Sequence, residues 1–541
     1  MRLLAPRLGL FLALLAFACI LPSTSNRLFA SPDETAVAVS IQELRTTGSA
    51  AVNEELARSF PWLHPRSYTA SGEALVPVGF LGWPWLLAQF NRFLPFVVLP
   101  WFASILAISG ALPWYGLLRR KFGDWAAWWG TALAWFFPPV LLYSNRALFS
   151  HIPQISGALW TVWLLVKIEE LEWSRWSKRV VQLLAGVVFG LALSFRPIEA
   201  VWLVPMAGLL VSRFRRLPRV DWLCVGVGAV IGLVPLLIAQ AATYGQWFQI
   251  GYWIQANTDP SAIYQPSSAA VAVRPWYLAF APYGLHPKNV WWNIRSFFLT
   301  LLWPWLVASL FSMIYLIWRV RTTSQAKLVK WRQIIIHERR FWVSVVVLCV
   351  AAGWLLAIYG SGLYFDHIQA GAVTLGNSFL RYTLPIGFAA AWLFASVAST
   401  LKSGQLPRQI FVLAASGLLL ASGYLAFFHD NENLFMTRNE LVRYATIREA
   451  ANQAFRPGDV ILSDRSDKIF FPQLRGVSPM PSPDQLSAFT ERTQATSTSL
   501  GLFSRPLSLS DRDAWRRMGY DVHELQVFGR ERLYRLTPFL R

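Results

Sequence analysis

The chain has 541 residues, of which 55% are hydrophobic, 15% aromatic and only 14% charged, with 28 tryptophans. Soluble domains carry about 25% charged residues. Here the apolar residues fall in blocks of about 15 to 25, so a string of soluble domains is excluded and a polytopic membrane protein is expected. The net charge of +20 sits in short loops between those blocks, the pattern that orients membrane proteins rather than one that binds nucleic acid.

In chain order, the first apolar run, about 8–22, follows Arg2 and Arg7. It resembles a signal sequence, but Leu28-Phe29-Ala30 is a poor cleavage site, so an uncleaved first helix is expected. Ten further spans are expected at about 96–118, 125–143, 152–166, 180–195, 197–212, 222–240, 297–318, 341–360, 382–400 and 409–428, making eleven. Cys19, Cys224 and Cys349 all lie in apolar blocks, so no disulfide is expected in an outer loop or tail, and no metal-type cysteine pair exists.

The segment 73–90, EALVPVGFLGWPWLLAQF, is apolar but carries Pro77, Gly79, Gly82 and Pro84. Loop charge argues against a twelfth span. With eleven, the basic residues at 119–121, 167–179, 213–219, 319–340 and 402–408 all face inward, and few remain outside. Residues 73–90 are therefore expected to lie in the outer interface or to re-enter it. The N-terminus is then cytoplasmic, and about 23–95, 241–296 and the tail from 430 are exoplasmic.

Within 430–541 the spacing of Leu441, Tyr444, Ile447, Ala451 and Phe455 predicts a helix over 438–455. VILSD at 460–464 reads as a buried strand, 511–519 as a short helix, and 522–528 with 531–536 as a closing hairpin. The expected fold is thus an all-α polytopic membrane protein of about 11 transmembrane helices, residues 1–429. A small exoplasmic α/β domain, 430–541, follows it. That tail is taken as accessory, because Asp464, Asp467 and Asp511 are scattered over strand ends and turns.

The strongest local signal for chemistry is Ser31-Pro32-Asp33-Glu34, just past the first span. Asp33 or Glu34 can act as general base toward an acceptor hydroxyl, or the pair can cap the helix that follows over 35–45. Arg381 and Tyr382 open the tenth span from the outer side. A guanidinium there can hold a lipid phosphate bidentately or simply snorkel. Lys288 is a second phosphate candidate. Arg196 and Glu199, three apart, read equally as an ion pair or a ligand site. Asp366 and His367 make an incomplete metal or acid/base pair.

The stretches SPDETAVAVSIQELRTTG (31–48), VGFLGWPWLLAQF (78–90), LALSFRPIEA (191–200) and NSFLRYTLP (377–385) carry a resemblance. The chain resembles the C-type glycosyltransferases that use polyprenyl-phosphate sugars. Within them it is similar to the family 39 protein mannosyltransferases and the bacterial aminoarabinose and Rgt-type lipopolysaccharide transferases. The resemblance implies an enzyme of the cell (plasma or inner) membrane. It would move one sugar, with inversion, from a polyprenyl-phosphate donor to a hydroxyl of a cell-envelope glycan, lipid or protein on the exoplasmic face. Membrane lipids are its expected partners and nucleic acid is not. No cofactor is implied, and a divalent metal is left open.

On that resemblance Asp33 matches the acid beside the acceptor and Glu34 its neighbour. Relatives often carry a second acid in the next outer loop, but 143–154, YSNRALFSHIPQ, has no carboxylate. His151 and Arg146 are the polar candidates in its place. The competing readings are a transporter or flippase, which needs ionisable residues in mid-span and broken helices in matching halves, and an inactive scaffold.

Overall fold

The computed structural model describes residues 4–22, 28–170, 173–203, 219–258, 283–325, 346–347, 349–364, 366, 371–402, 404–429, 432–478, 480–493 and 498–539. The chain is a mostly helical polytopic membrane protein with a sheet near its C-terminus. Among the described residues, four helices are long and apolar enough to cross a membrane: Phe96–Phe122, Arg175–Phe195, Trp222–Tyr244 and Leu406–Phe428. Pro287–Leu301 with Trp303–Arg319 would make a fifth, but the pair is bent by 91°. Shorter apolar helices at Leu8–Ala18, Cys349–Gly360 and Leu384–Ala398 stand where three further spans are expected. The expected span 197–212 lies mostly outside the described residues.

Two expected spans are not single straight helices, and proline explains both. Over 125–143 the chain forms Asp124–Trp135 and then Pro138–Asn145. The prolines at 138 and 139 push Phe137 to extended backbone (φ −57°, ψ 124°), which ends the first helix. Over 297–318, a π-helical stretch Ile294–Leu301 precedes the helix Trp303–Gln325, which carries Pro304 in its first turn, where the ring is tolerated but the preceding helix cannot continue through it.

The chain divides into two compact units. The first comprises Met1–Pro22, Trp101–Val234 and Tyr264–Phe435. Its helices pack through small residues. A Cβ at Gly186 or Gly190 would strike the backbone around Val225 and Ala229, and one at Gly228 or Gly232 would strike the backbone around Leu183 and Val187. This is the small-xxx-small contact by which helices approach closely in lipid. Across the bundle, Trp305 Nε1 donates to Ser422 Oγ at 2.9 Å, satisfying a polar atom where water is absent.

The second unit comprises Ser23–Pro100, Pro235–Ile263 and Met436–Arg541. Its helix Pro32–Thr46 is capped by Ser31, whose Oγ accepts the Asp33 amide at 3.3 Å. Asp33 and Glu34 therefore occupy the first turn, favourable to the helix dipole, and are not the cap. The segment 73–90 is not one apolar piece. Its first half is strand β3 (Ala74–Pro77), antiparallel between β1 (Val52–Asn53) and β2 (Tyr68–Ser71), and its second half is the helix Gly82–Phe90.

In the tail the expected helix, buried strand and closing hairpin are present at Leu434–Ala454, β4 (Val460–Ser463), and β7 (Tyr520–Phe528) with β8 (Glu531–Pro538). The expected short helix is there too, at Leu509–Arg517, with a capping box from Ser508 and Asp511. Two strands had no clear sequence signal, β5 (Arg475–Val477) and β6 (Leu500–Ser504). The sheet order is β5-β4-β6-β8-β7, with β4 parallel to both β5 and β6.

The tail does not close its own core. Phe60 and Leu63 of the first loop are buried against Val460, Leu462, Phe489, Leu502 and Tyr534. Arg475 Nε of the tail pairs with Glu54 Oε2 of the loop at 2.7 Å.

Candidate active site

The first unit gathers three arginines around two aromatic rings. Arg146 follows the helix Pro138–Asn145, Arg196 follows Arg175–Phe195, and Arg381 lies in the short helix Ser378–Tyr382. Asn377 caps that last helix by accepting the Phe379 amide at 2.9 Å, and Asp366 Oδ2 accepts the Ser378 amide at 2.6 Å. Asp366 is thus a backbone anchor here. Its expected companion, His367, lies outside the described residues.

The Arg381 guanidinium lies 4.3 Å over the Phe149 ring and 5.1 Å over Tyr382, and its Nη2 donates to Ser378 Oγ and Tyr382 Oη at 3.1 and 3.2 Å. Arg146 lies 5.0 Å over Phe149, and Arg196 lies 5.0 Å over Tyr382. All three arginines are buried. A snorkelling side chain would keep its head in water, so Arg381 is not a simple membrane anchor.

Two acids orient this cluster. Glu199 accepts from Arg196 Nε at 3.2 Å and from the Tyr359 hydroxyl at 2.7 Å, and Tyr359 stacks on Tyr382 at 4.5 Å with planes 18° apart. Arg196 and Glu199 are therefore a buried ion pair and part of the site at once. Glu432 accepts from Arg146 Nη1 at 3.2 Å and from Thr374 Oγ1 at 2.8 Å. Glu432 thus places a carboxylate against Arg146 of the loop 143–154. The sequence hides it, because it comes from 286 positions further on, in a charged run after the last span.

His151 is only 5% exposed, 5.4 Å from Tyr382 and 6.3 Å from Phe149, with Arg196 and Arg381 close enough to act on it electrostatically. Neither ring nitrogen has a hydrogen-bond partner among the described residues. Buried polar atoms are nearly always paired, so this imidazole is suited to a hydrogen bond with a ligand. Lys288, by contrast, is exposed at the second position of the helix Pro287–Asn293. Among the described residues no contact joins it to the arginines.

In the second unit, Asp33 Oδ1 accepts the Ser67 hydroxyl at 2.6 Å. Glu34, one position on, is buried in the helix. The neighbouring Tyr68 is fully buried, and its burial holds the phenol well above its usual range, so it stays neutral. Among the described residues no group of three His, Cys, Asp or Glu side chains is placed to hold a metal ion.

No family model matches the chain, and no curated protein matches it. Among solved structures it is similar to ArnT from Cupriavidus metallidurans in the apo state, at 12% identity and TM-score 0.45, over 98% of this chain and 97% of that one. It is also similar to the same protein bound to undecaprenyl phosphate, at 12% identity and TM-score 0.47, over the same shares of the two chains.

Proposed function

We propose that the chain is a membrane glycosyltransferase that moves one sugar from a polyprenyl-phosphate donor to an acceptor hydroxyl on the exoplasmic face, with inversion. The observation that carries the proposal is the buried cluster of Arg146, Arg196 and Arg381 around Phe149 and Tyr382, with His151 beside both rings. Guanidiniums match phosphate geometry bidentately, and burial strengthens each charge-assisted bond. A single-chain lipid phosphate is an anion that the depth of these residues in an apolar unit suits.

In this reading Arg381 and Tyr382 take the donor phosphate, Arg146 is held toward it by Glu432, and His151 donates a hydrogen bond to a phosphate oxygen. Lys288, exposed and uncommitted to the cluster, is at most a guide for the approaching headgroup. Asp33 takes the proton of the acceptor hydroxyl. The acceptor oxygen then attacks the anomeric carbon, the carbon–oxygen bond to phosphate breaks, and the polyprenyl phosphate leaves with the electron pair. The arginines stabilise the negative charge that grows on the leaving phosphate, the term most often dominant in such chemistry. Direct displacement inverts the anomeric centre.

The test is a titration of the purified protein with undecaprenyl phosphate, followed by tryptophan fluorescence, in wild type and in Arg146→Ala, Arg196→Ala and Arg381→Ala. Loss of affinity in the variants supports the reading. Equal affinity in all four removes the cluster as the phosphate site.

A further inference from the structure

Ser67, whose hydroxyl meets Asp33, has φ 65°. Side chains other than glycine enter this left-handed region at a cost, and such a residue persists only where its surroundings over-determine it. Here both flanks do so. On one side, the Arg66 amide donates to Asp467 Oδ2 at 2.8 Å and its Nε to Asp467 Oδ1 at 2.9 Å, while Nη2 donates to the Arg465 carbonyl. On the other side, Tyr68 begins β2, pairs with Pro77 of β3, and lies 5.1 Å from the Phe471 ring. The Ser67 carbonyl itself accepts the Val78 amide at 2.9 Å.

Asp467 has 0% side-chain exposure, a position in which a carboxylate is retained only if paired. The next residue, Lys468, donates to the Ala30 carbonyl, immediately ahead of the Ser31 cap from which the Asp33 helix starts. One turn of the tail thus grips both segments that meet at the Asp33 carboxylate: Asp467 holds the donor's segment, and Lys468 holds the acid's.

We infer that Ser67 and Asp467 are positioning residues for Asp33, with the C-terminal region setting the direction of the acid's carboxylate rather than serving as an accessory domain. The inference rests on the role of Asp33 proposed above. Asp467 fixes Arg66, Arg66 fixes the left-handed turn at Ser67, and the Ser67 hydroxyl fixes Asp33 Oδ1. A carboxylate that must take a proton in a narrow geometry loses rate when it can swing, even if it remains in place on average.

Ser67→Gly makes the test clean, because glycine adopts a positive φ at no steric cost while removing the hydroxyl. The probe is release of undecaprenyl phosphate from undecaprenyl-phosphate mannose, glucose and aminoarabinose, with a glycolipid and glycan extract of the source membrane as acceptor. Ser67→Gly is expected to unfold at or above the wild-type temperature and to keep donor KM within about twofold. Its kcat should fall about tenfold, the scale of one hydrogen bond to a charged group. Asp467→Asn should lower kcat similarly and speed amide exchange over 64–70, a readout independent of turnover. Wild-type kcat in Ser67→Gly, with Asp33→Asn impaired, overturns the positioning inference and leaves the function standing. Wild-type kcat in Asp33→Asn overturns the base assignment and this inference with it. No release by wild type from any of the three donors overturns both.

Discussion

Arg146 and Glu432 lie 286 positions apart and meet at 3.2 Å, with Arg146 buried and the Glu432 side chain 26% exposed. Glu432 holds this place with φ 64°, so it and Ser67 are the two non-glycine residues at positive φ among those described. One lies at each cluster proposed to do chemistry. Backbone cost retained at such points is the expected mark of a geometry kept for function.

Gly376 makes room for that pair, since a Cβ there would collide with the Glu432 carboxylate. Gly376→Ala and Glu432→Gln should therefore share a phenotype. Each releases Arg146 from its partner and should weaken undecaprenyl phosphate binding about fivefold, as expected for about 1 kcal/mol from a partly exposed pair. Fluorescence titration checks this. If only one variant weakens binding, the steric link between Gly376 and Glu432 is not what orients Arg146.

Arg381→Lys distinguishes a planar phosphate clamp from a mere positive charge. Lysine offers a point charge and cannot span two phosphate oxygens or lie flat on Phe149. Loss of one charge-assisted bond should cost about 1.5–3 kcal/mol, or roughly 10- to 150-fold in donor affinity. Arg381→Ala should cost at least as much. Lysine binding as well as arginine would reduce the site to simple charge attraction.

Asp33→Asn keeps the shape and the Ser67 contact while removing the proton acceptor. Turnover should fall about 100- to 10,000-fold, the range for a positioned general base. Donor affinity and thermal unfolding should be unchanged. Near-normal turnover would move the base elsewhere, with Glu34 and then His151 next to be tested.

Orientation is tested separately. The distribution of basic residues predicts that reporter fusions at about 330 and about 500 report opposite sides of the membrane, the first cytoplasmic and the second exoplasmic. Both on one side would end the eleven-span topology.

The membrane class, the Asp33 helix and much of the tail were legible, because apolar block length, helical spacing and alternation are local properties. Arg381 and His151 were also visible as polar residues at the ends of expected spans. Glu432 was not, since nothing in a run of His-Asp-Asn-Glu-Asn points to an arginine 286 positions earlier. The bend at 302 and the break at 136–137 were obscured because hydropathy counts a proline-interrupted stretch as continuous. Asp467 read as a solvating acid at a turn; only the fold shows that Arg66 comes to it across 401 positions.

The same long-range pairing makes the tail's stability depend on the first loop. Phe60 is buried, with its ring 5.1 Å from Phe489 in an edge-to-face contact, and it lies in the core of the five-stranded sheet. Phe60→Ala removes that ring from a site which cannot readily collapse around the loss, because β4 and β6, whose residues share its core, are held in register with each other. Such truncations cost about 3–5 kcal/mol. The cost should appear locally, as faster amide exchange in Val460–Ser463 and Leu500–Ser504, residues distant in sequence from the substitution. Turnover should fall in step, since Asp467 and Lys468 follow β4 directly and lose their footing when that strand opens. Undecaprenyl phosphate affinity is the control, because its proposed ligands belong to the other unit. Unchanged exchange in both strands would mean that the tail closes its core without the loop, and Phe60 would then be only a contact on its surface.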